Sequence, residues 1–120
     1  MDKYDRALQI WQVLISAAHN RQILTYEIVA DLIGLGKQGA IAIGPAYLGI
    51  LKSYCSANRL PPITALIVRK KGGTPGTGLS DALTKHPDED REKVFNQQWF
   101  KMKPLTRSDL GASAPSKKGP

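Results

Sequence analysis

The chain has 120 residues, 42% of them hydrophobic, and a formal net charge of +7. This length predicts one domain, and the hydrophobic share predicts a folded core rather than a disordered chain. The single cysteine, Cys55, excludes an internal disulfide framework and a multi-cysteine zinc site.

Targeting and membrane signals are missing from the sequence pattern. No apolar run approaches the length of about 18 residues that a membrane span needs, and charges run through the N-terminal segment MDKYDRALQIW. We therefore expect no signal peptide, no membrane contact and a cytoplasmic location. The positive charge favours an anionic partner, most often nucleic acid.

The positive charge is concentrated towards the end of the chain. Residues 101–120 hold five basic side chains and one acidic side chain, a net charge of +4, which leaves +3 for residues 1–100. The last stretch is small, polar and proline-containing, so we predict a domain over 1–100 and a basic, disordered tail over 101–120. Such a tail either keeps the protein in solution or serves as an arm that binds phosphates.

Two helices are predicted at the start of the chain. Apolar residues recur at spacings of three and four over residues 3–19, as in an amphipathic helix. His19 lies near its C-terminal end, where a helix-dipole role is favoured over a ligand or catalytic role. Thr25 is a suitable N-cap for a short second helix over residues 26–33, which the glycines of 34–36 end.

A third helical segment begins near Lys37 or Gln38. Gly44-Pro45 interrupts this segment, and apolar spacing resumes over residues 46–57. Cys55 falls on the apolar face there. It is therefore interpreted as a small core residue, because no activating base is visible nearby.

The second half of the chain predicts a hairpin and a final helix. Residues 63–69 have the composition of a strand, 70–78 that of a glycine-rich turn and short returning edge, and 88–100 that of a helix with an acidic first turn. Residues 80–85 have room for one helical turn. The predicted fold class is therefore α+β and mainly helical: a winged helix-turn-helix with a small β-hairpin wing and a C-terminal helix.

Several strings resemble the DNA-binding domain of the alkylguanine DNA alkyltransferases and the alkyltransferase-like proteins. Residues 25–34 read TYEIVADLIG, where that family has Thr-Tyr-Gly-Glu-Ile-Ala and a glycine-ended helix. Residues 40–44 read AIAIG, near the family's Ala-Arg-Ala-Val-Gly. Further matches are Asn58, Pro62-Ile63, Arg69, Gly76 and Gly78-Leu79. The resemblance covers about half of the chain and implies a winged helix beside duplex DNA.

Departures from the family's pattern change the implied function. The family's nucleophilic cysteine and its histidine correspond to Ile67 and Val68, and without a thiolate beside a base there is no alkyl transfer. The family's base-flipping arginine corresponds to Ile41, which argues against nucleotide flipping. The resemblance therefore implies an alkyltransferase-like winged helix that has lost the repair chemistry.

No arrangement of residues predicts an enzyme, a metal site or a cofactor. The acidic run 88–90 is explained by its place at a helix start, and His19 and His86 are far apart with no metal-ligand spacing. The glycine-rich segment 72–78 lacks the lysine of a phosphate-binding P-loop, so the turn interpretation is favoured.

Nucleic-acid binding is the leading functional interpretation. Three cations at the predicted wing tip are suited to phosphates or, alternatively, to a solvated turn. The start of the third helical segment and the tyrosine that opens the second helix supply the other candidates. The predicted binding residues are Tyr26, Lys37, Gln38, Arg69, Lys70 and Lys71.

The remainder of the third helical segment is poor in base-reading side chains. We therefore predict a small non-enzymatic protein, of the kind found as accessory proteins of bacteria and their phages, that contacts mainly the backbone of double-stranded DNA. The alternative is a protein-interaction module that binds a partner protein or itself through the apolar segment 39–50 and the helix 88–100.

Overall fold

The structure, a computed structural model, describes residues 1–68 and 86–113. These residues are mainly helical with one small parallel sheet, so the predicted α+β, mainly helical class is confirmed at this level. The helices and strands in chain order are α1 (Lys3–His19), β1 (Leu24–Thr25), α2 (Tyr26–Leu32), α3 (Ala40–Ile43), α4 (Gly49–Ala57), β2 (Ile67–Val68), α5 (Pro87–Asn96) and α6 (Arg107–Ser113). Within the described ranges, every helix is too short or too polar to cross a membrane.

Helix α1 forms the centre of the core. Its N-terminus is closed by a reciprocal pair of hydrogen bonds, since the Asp2 carboxylate accepts from the Asp5 amide and the Asp5 carboxylate accepts from the Asp2 amide, each at 3.0 Å. The apolar stripe predicted from the sequence is the buried face. Its fully or almost fully buried residues are Ala7, Ile10, Trp11, Leu14, Ala17 and Ala18.

The corner between α2 and α3 depends on glycine. Gly34 and Gly36 have φ angles of 88° and 73°, which side-chain-bearing residues rarely adopt. A β carbon on Gly39 would lie 2.7 Å from Cβ of Leu35, so that position also requires a residue without a side chain. These glycines allow the chain to reverse tightly after α2 and enter the next helical segment.

Residues 37–57 form one helical stretch with an irregular middle. A 3₁₀ turn at Lys37–Gly39 leads into α3, a π turn at Gly44–Leu48 follows, and α4 completes the stretch. Pro45 has no backbone N–H to donate, which explains why the regular hydrogen-bond ladder is interrupted there. The predicted interruption at Gly44-Pro45 is thus confirmed.

The predicted strand over residues 63–69 is shorter than expected. Residues Ile63–Leu66 form a buried 3₁₀ turn, and among the described residues only Ile67–Val68 pair with another strand. Arg91, itself almost buried, donates from Nε to the Ala65 carbonyl at 2.8 Å and holds this turn in place. The predicted hairpin turn and its returning edge, as well as the helical turn at 80–85, lie outside the described residues.

The predicted helix over residues 88–100 ends early, at Asn96. Gln97 is extended, with ψ of 137°, and Trp99 follows in a 3₁₀ turn at Trp99–Lys101. This change of direction inserts the Trp99 ring into the core, where it contacts the Trp11 ring edge-on with centroids 5.4 Å apart. Its indole N–H donates to the Val94 carbonyl at 2.8 Å.

Part of the predicted disordered tail is helical instead. Helix α6 buries Leu110 completely, and its N-terminus is closed by the Asp109 carboxylate, which accepts from the amide and hydroxyl of Thr106 at 2.9 Å each. These hydrogen bonds lower the pKa of Asp109. Arg107 forms an ion pair with Asp2, and its Nε lies 3.2 Å from the Asp5 carboxylate, which attaches α6 to the start of α1. Residues 114–120 lie outside the described ranges.

Candidate nucleic-acid interface

Lys37 and Gln38 begin the helical stretch 37–57, and both side chains are exposed. They follow the left-handed Gly36, which turns the chain outward after α2. The two residues are therefore exposed at the start of this stretch, where the sequence placed them, and their role in binding stays a prediction.

The outer face of this stretch is made mainly of small side chains. Ala42, Ala46 and Gly49 are exposed, and Lys52 extends the same face along α4. Small residues permit close approach of another molecule's backbone, although they supply no hydrogen bonds to bases. One residue differs from this pattern: Ile41 on α3 is 88% exposed.

Tyr26 lies at the start of α2 and is half-buried. Its ring is beside the backbone of Gly44, because a β carbon there would be 3.5 Å from Cε2 of Tyr26. Tyr26 therefore contacts the middle of the helical stretch that Lys37 and Gln38 begin. The structure brings these three predicted residues into adjoining elements.

The small sheet relates Tyr26 to the predicted wing. β1 and β2 are parallel, with Thr25 opposite Val68, so both strands end at the same edge. Tyr26 begins α2 at that edge. Arg69, Lys70 and Lys71 follow Val68 in the sequence and lie outside the described residues, so their predicted place at a hairpin tip stays a prediction.

The distribution of charge along the chain differs from the predicted division into a domain (1–100) and a basic tail (101–120). Residues 32–80 contain six basic side chains and no acidic one, whereas the segments 1–31 and 81–100 each contain more acidic than basic side chains. Counting charge within predicted elements, rather than from the end of the chain, would have found this asymmetry.

Ion pairs between described residues involve only some of the cations. Arg21 lies 2.7 Å from Glu92, Arg91 lies 3.7 Å from Asp88, and Arg107 is paired with α1 carboxylates. By contrast, Lys37, Lys52 and Arg59 make no ion pair with any described residue. These three cations, like the exposed Lys3 and Lys93 on other elements, are therefore available to an external anion.

The two residues that the resemblance aligns with the family's cysteine and histidine are buried. Ile67 and Val68 are 0% and 2% exposed. The neighbouring thiol of Cys55 is also buried, and burial raises its pKa to about 11, so it remains protonated and weakly nucleophilic near neutral pH. The described ranges contain no cluster of three potential metal ligands.

A groove of about 360 Å³ lies between His19 and residues 95–101. Its wall includes Phe100, which meets the His19 ring edge-on at 5.3 Å. The described residues that line it include two basic side chains, His19 and Lys101, and no carboxylate. The stretch 37–57 carries two basic side chains, Lys37 and Lys52, and no acidic one, whereas α2 carries Glu27 and Asp31. Comparison with family models, curated proteins and solved structures gave no match for this chain.

Proposed function

We propose that this chain is a non-enzymatic winged-helix protein that binds duplex nucleic acid mainly through the phosphate backbone. The observation that carries the proposal is the acid-free segment 32–80, whose described cations Lys37, Lys52 and Arg59 are exposed and make no ion pair with a described residue. The helical stretch 37–57 in that segment would lie against the duplex, with Lys37 and Gln38 at its leading end.

Three further points support the same proposal. The resemblance to alkyltransferase-like proteins covers the segment that holds these cations. The small outer face of Ala42, Ala46 and Gly49 suits a close approach to nucleic acid without base reading. The wing of this fold would be formed by the residues after Val68, where Arg69, Lys70 and Lys71 supply phosphate contacts.

Salt-dependent DNA binding tests this proposal. Five phosphate contacts, from Lys37, Lys52 and the three wing cations, would lower the association constant by about 10²–10³-fold between 50 and 200 mM NaCl. Fluorescence anisotropy of a labelled 20-base-pair duplex measures this change. Absence of binding at 50 mM NaCl, or binding without a salt slope, would contradict the proposal.

A second candidate function, protein interaction, is favoured by the outward face of α2. Ile28 and Leu32 are 45% and 60% exposed one helical turn apart, and Leu32 also lines a groove of about 350 Å³ between α1 and α2. The apolar segment 39–50 offers less apolar surface to a partner than its composition indicated, because Ile43, Leu48 and Ile50 are buried in the core of the chain itself.

Oligomeric state distinguishes this second function. If α2 is an interface between two copies, light scattering coupled to size-exclusion chromatography is expected to give a dimer, and Leu32→Asp is expected to return the monomer because it buries a charge. We take a dissociation constant of about 100 µM as the weakest affinity expected for a specific dimer. If the wild type is still a monomer at that protein concentration, self-association through this face is contradicted.

A further inference from the structure

Two grooves lie side by side along α1 and together form a double groove. The first is the groove of about 360 Å³ beside His19, and the second, of about 180 Å³, lies between α1 and residues 99–105. Both are lined by Trp99 and Phe100, so they meet at the Phe100 side chain, which is 59% exposed. From Leu8 in the second groove to His19 in the first, α1 rises by about 16 Å, which is the length of about five extended residues.

The second groove is lined mainly by aliphatic side chains. Leu8 and Ile15 of α1 lie on one side of it, and Met102 and Leu105 belong to the segment after α5. All four are only half-buried, so they would gain further burial when an apolar side chain enters the groove. Nucleic-acid bases instead stack on the flat faces of aromatic rings. The second groove is therefore better suited to an aliphatic side chain of a protein segment.

The first groove supplies polar groups that are free to bind a main chain. The side chains of His19, Asn96 and Gln98 line it, and none of them makes a hydrogen bond with a described residue. Amide side chains both donate and accept hydrogen bonds, as the N–H and C=O groups of a peptide do. An extended peptide that continues past Phe100 from the second groove would find partners for its backbone here.

The rim of the double groove is basic. Lys101 lines the first groove and Lys103 lines the second, both are exposed, and neither makes an ion pair with a described residue. The described residues that line the two grooves include no carboxylate. This arrangement favours an acidic occupant, and it disfavours a second copy of the same surface because like charges would face each other.

The acidic residues nearest to this surface in the sequence are already engaged. Three of them lie within four positions of a lining residue, and each has a partner elsewhere: Asp5 with Arg107, Glu92 with Arg21, and Asp109 with Thr106. Lys103 helps to lower the pKa of Asp109, although the two form no ion pair. These carboxylates neutralise other cations or close a helix, so the rim keeps a net positive charge.

We propose that the double groove binds an extended acidic segment of a partner protein, with an aliphatic side chain in the second groove and carboxylates beside Lys101 and Lys103. This inference goes beyond the proposed function and does not rest on it, because none of the residues proposed to contact DNA lines either groove. It also gives a role to two lysines that the sequence assigned to a disordered tail.

Two fluorescein-labelled peptides test the proposal with the full-length chain. Both have about 12 residues and carry acidic residues at every second position, and the positions between them hold leucine in one peptide and serine in the other. Because leucine alternates with acidic residues, the first peptide offers an aliphatic anchor in any register. In anisotropy titrations at about 150 mM NaCl, we expect the leucine peptide to bind at least about tenfold more tightly than the serine peptide.

Substitutions at three places locate the bound peptide. Phe100→Ala removes the wall that both grooves share, and it is expected to weaken the leucine peptide by about fivefold or more. Replacing Lys101 and Lys103 with serine is expected to weaken both peptides by about three- to tenfold. Replacing Lys37 and Lys52 with serine removes the same charge from the stretch 37–57, so this matched control is expected to change peptide affinity by less than about twofold. Circular dichroism checks that every variant is folded.

Failure of the leucine peptide to bind, or equal binding of the two peptides, would overturn the proposal, because net charge alone would then explain any attraction. Equal losses from the two lysine pairs, or an unchanged affinity of Phe100→Ala, would place the peptide elsewhere and overturn it as well. Tighter binding of a labelled single-stranded oligonucleotide, weakened by Phe100→Ala, would identify a nucleic-acid surface instead. Duplex binding is tested at Lys37 and Lys52 rather than at Lys101 and Lys103, so the two proposals fail separately.

Discussion

Replacing Trp99 with alanine is expected to lower the free energy of unfolding by about 3–5 kcal/mol, the range for truncation of a buried large aromatic residue. Trp99 is 4% exposed, and its ring contacts Trp11 on α1 edge-on with centroids 5.4 Å apart. The substitution would remove this contact and leave a cavity between α1 and the segment after α5. It would also remove the donor to the Val94 carbonyl.

Urea denaturation followed by far-ultraviolet circular dichroism measures this effect. Small domains have a total stability of about 5–15 kcal/mol, so the Trp99→Ala midpoint is expected to fall sharply. Trp99→Phe retains a ring but loses the N–H donor, and an intermediate loss is expected. Phe100→Ala is the neighbouring control, because Phe100 is 59% exposed, and we expect a loss of about 0.5–1 kcal/mol at most. Equal losses at positions 99 and 100 would contradict the placement of Trp99 in the core.

Local signals predicted the first half of the fold well. The spacing of apolar residues in α1 and the hydroxyl of Thr25, which accepts from the Ile28 amide at 3.1 Å, act within one or two helical turns. Gly34 and Gly36 marked the end of α2 because their left-handed backbone is unfavourable for other residues. Each of these features can be recognised without knowing what packs against it.

The second half depends on contacts between distant segments. The local signal for the end of α5 is weak, a single asparagine at position 96, and the change of direction after it lets Trp99 pack on Trp11, which is 88 positions earlier. Leu110 lies in a stretch of small and polar residues that resembles a tail, yet as part of α6 it is fully buried in the core. Arg107 was counted in the net positive charge of the predicted tail. In the structure it pairs with carboxylates at the start of α1, so its charge is largely compensated.

The sequence predicted only part of the candidate site, because the rest of it also depends on contacts between distant segments. Lys37 and Gln38 were recognisable because they follow a helix-ending glycine pair and begin a helical pattern. The exposure of Ile41 was not, because AIAIG has the composition of a core segment and only the three-dimensional structure separates the buried Ile43 from the exposed Ile41. Whether a described carboxylate lies close enough to pair with Lys37 similarly depends on which elements surround it, and none does.

Substituting Arg69, Lys70 and Lys71 together with serine is expected to produce the largest loss of DNA affinity. The three cations follow β2 in the chain, and β2 ends at the same sheet edge at which α2 begins. Losing three phosphate contacts would reduce the slope of log K against log salt by about 2.7 and weaken binding about 10²-fold at 100 mM NaCl. Anisotropy titrations at four salt concentrations give both values.

A control variant with the same change in net charge separates a local site from general electrostatic attraction. Lys3, Lys93 and Lys101 are exposed on other elements, and replacing them with serine also removes three positive charges. If Arg69, Lys70 and Lys71 contact phosphates, this control retains nearly the full salt slope and loses only a few-fold in affinity through the long-range field. If both triple variants lose affinity and slope equally, binding arises from net charge alone. The acid-free segment 32–80 would then have no special role, because cations anywhere on the surface would attract DNA to the same extent.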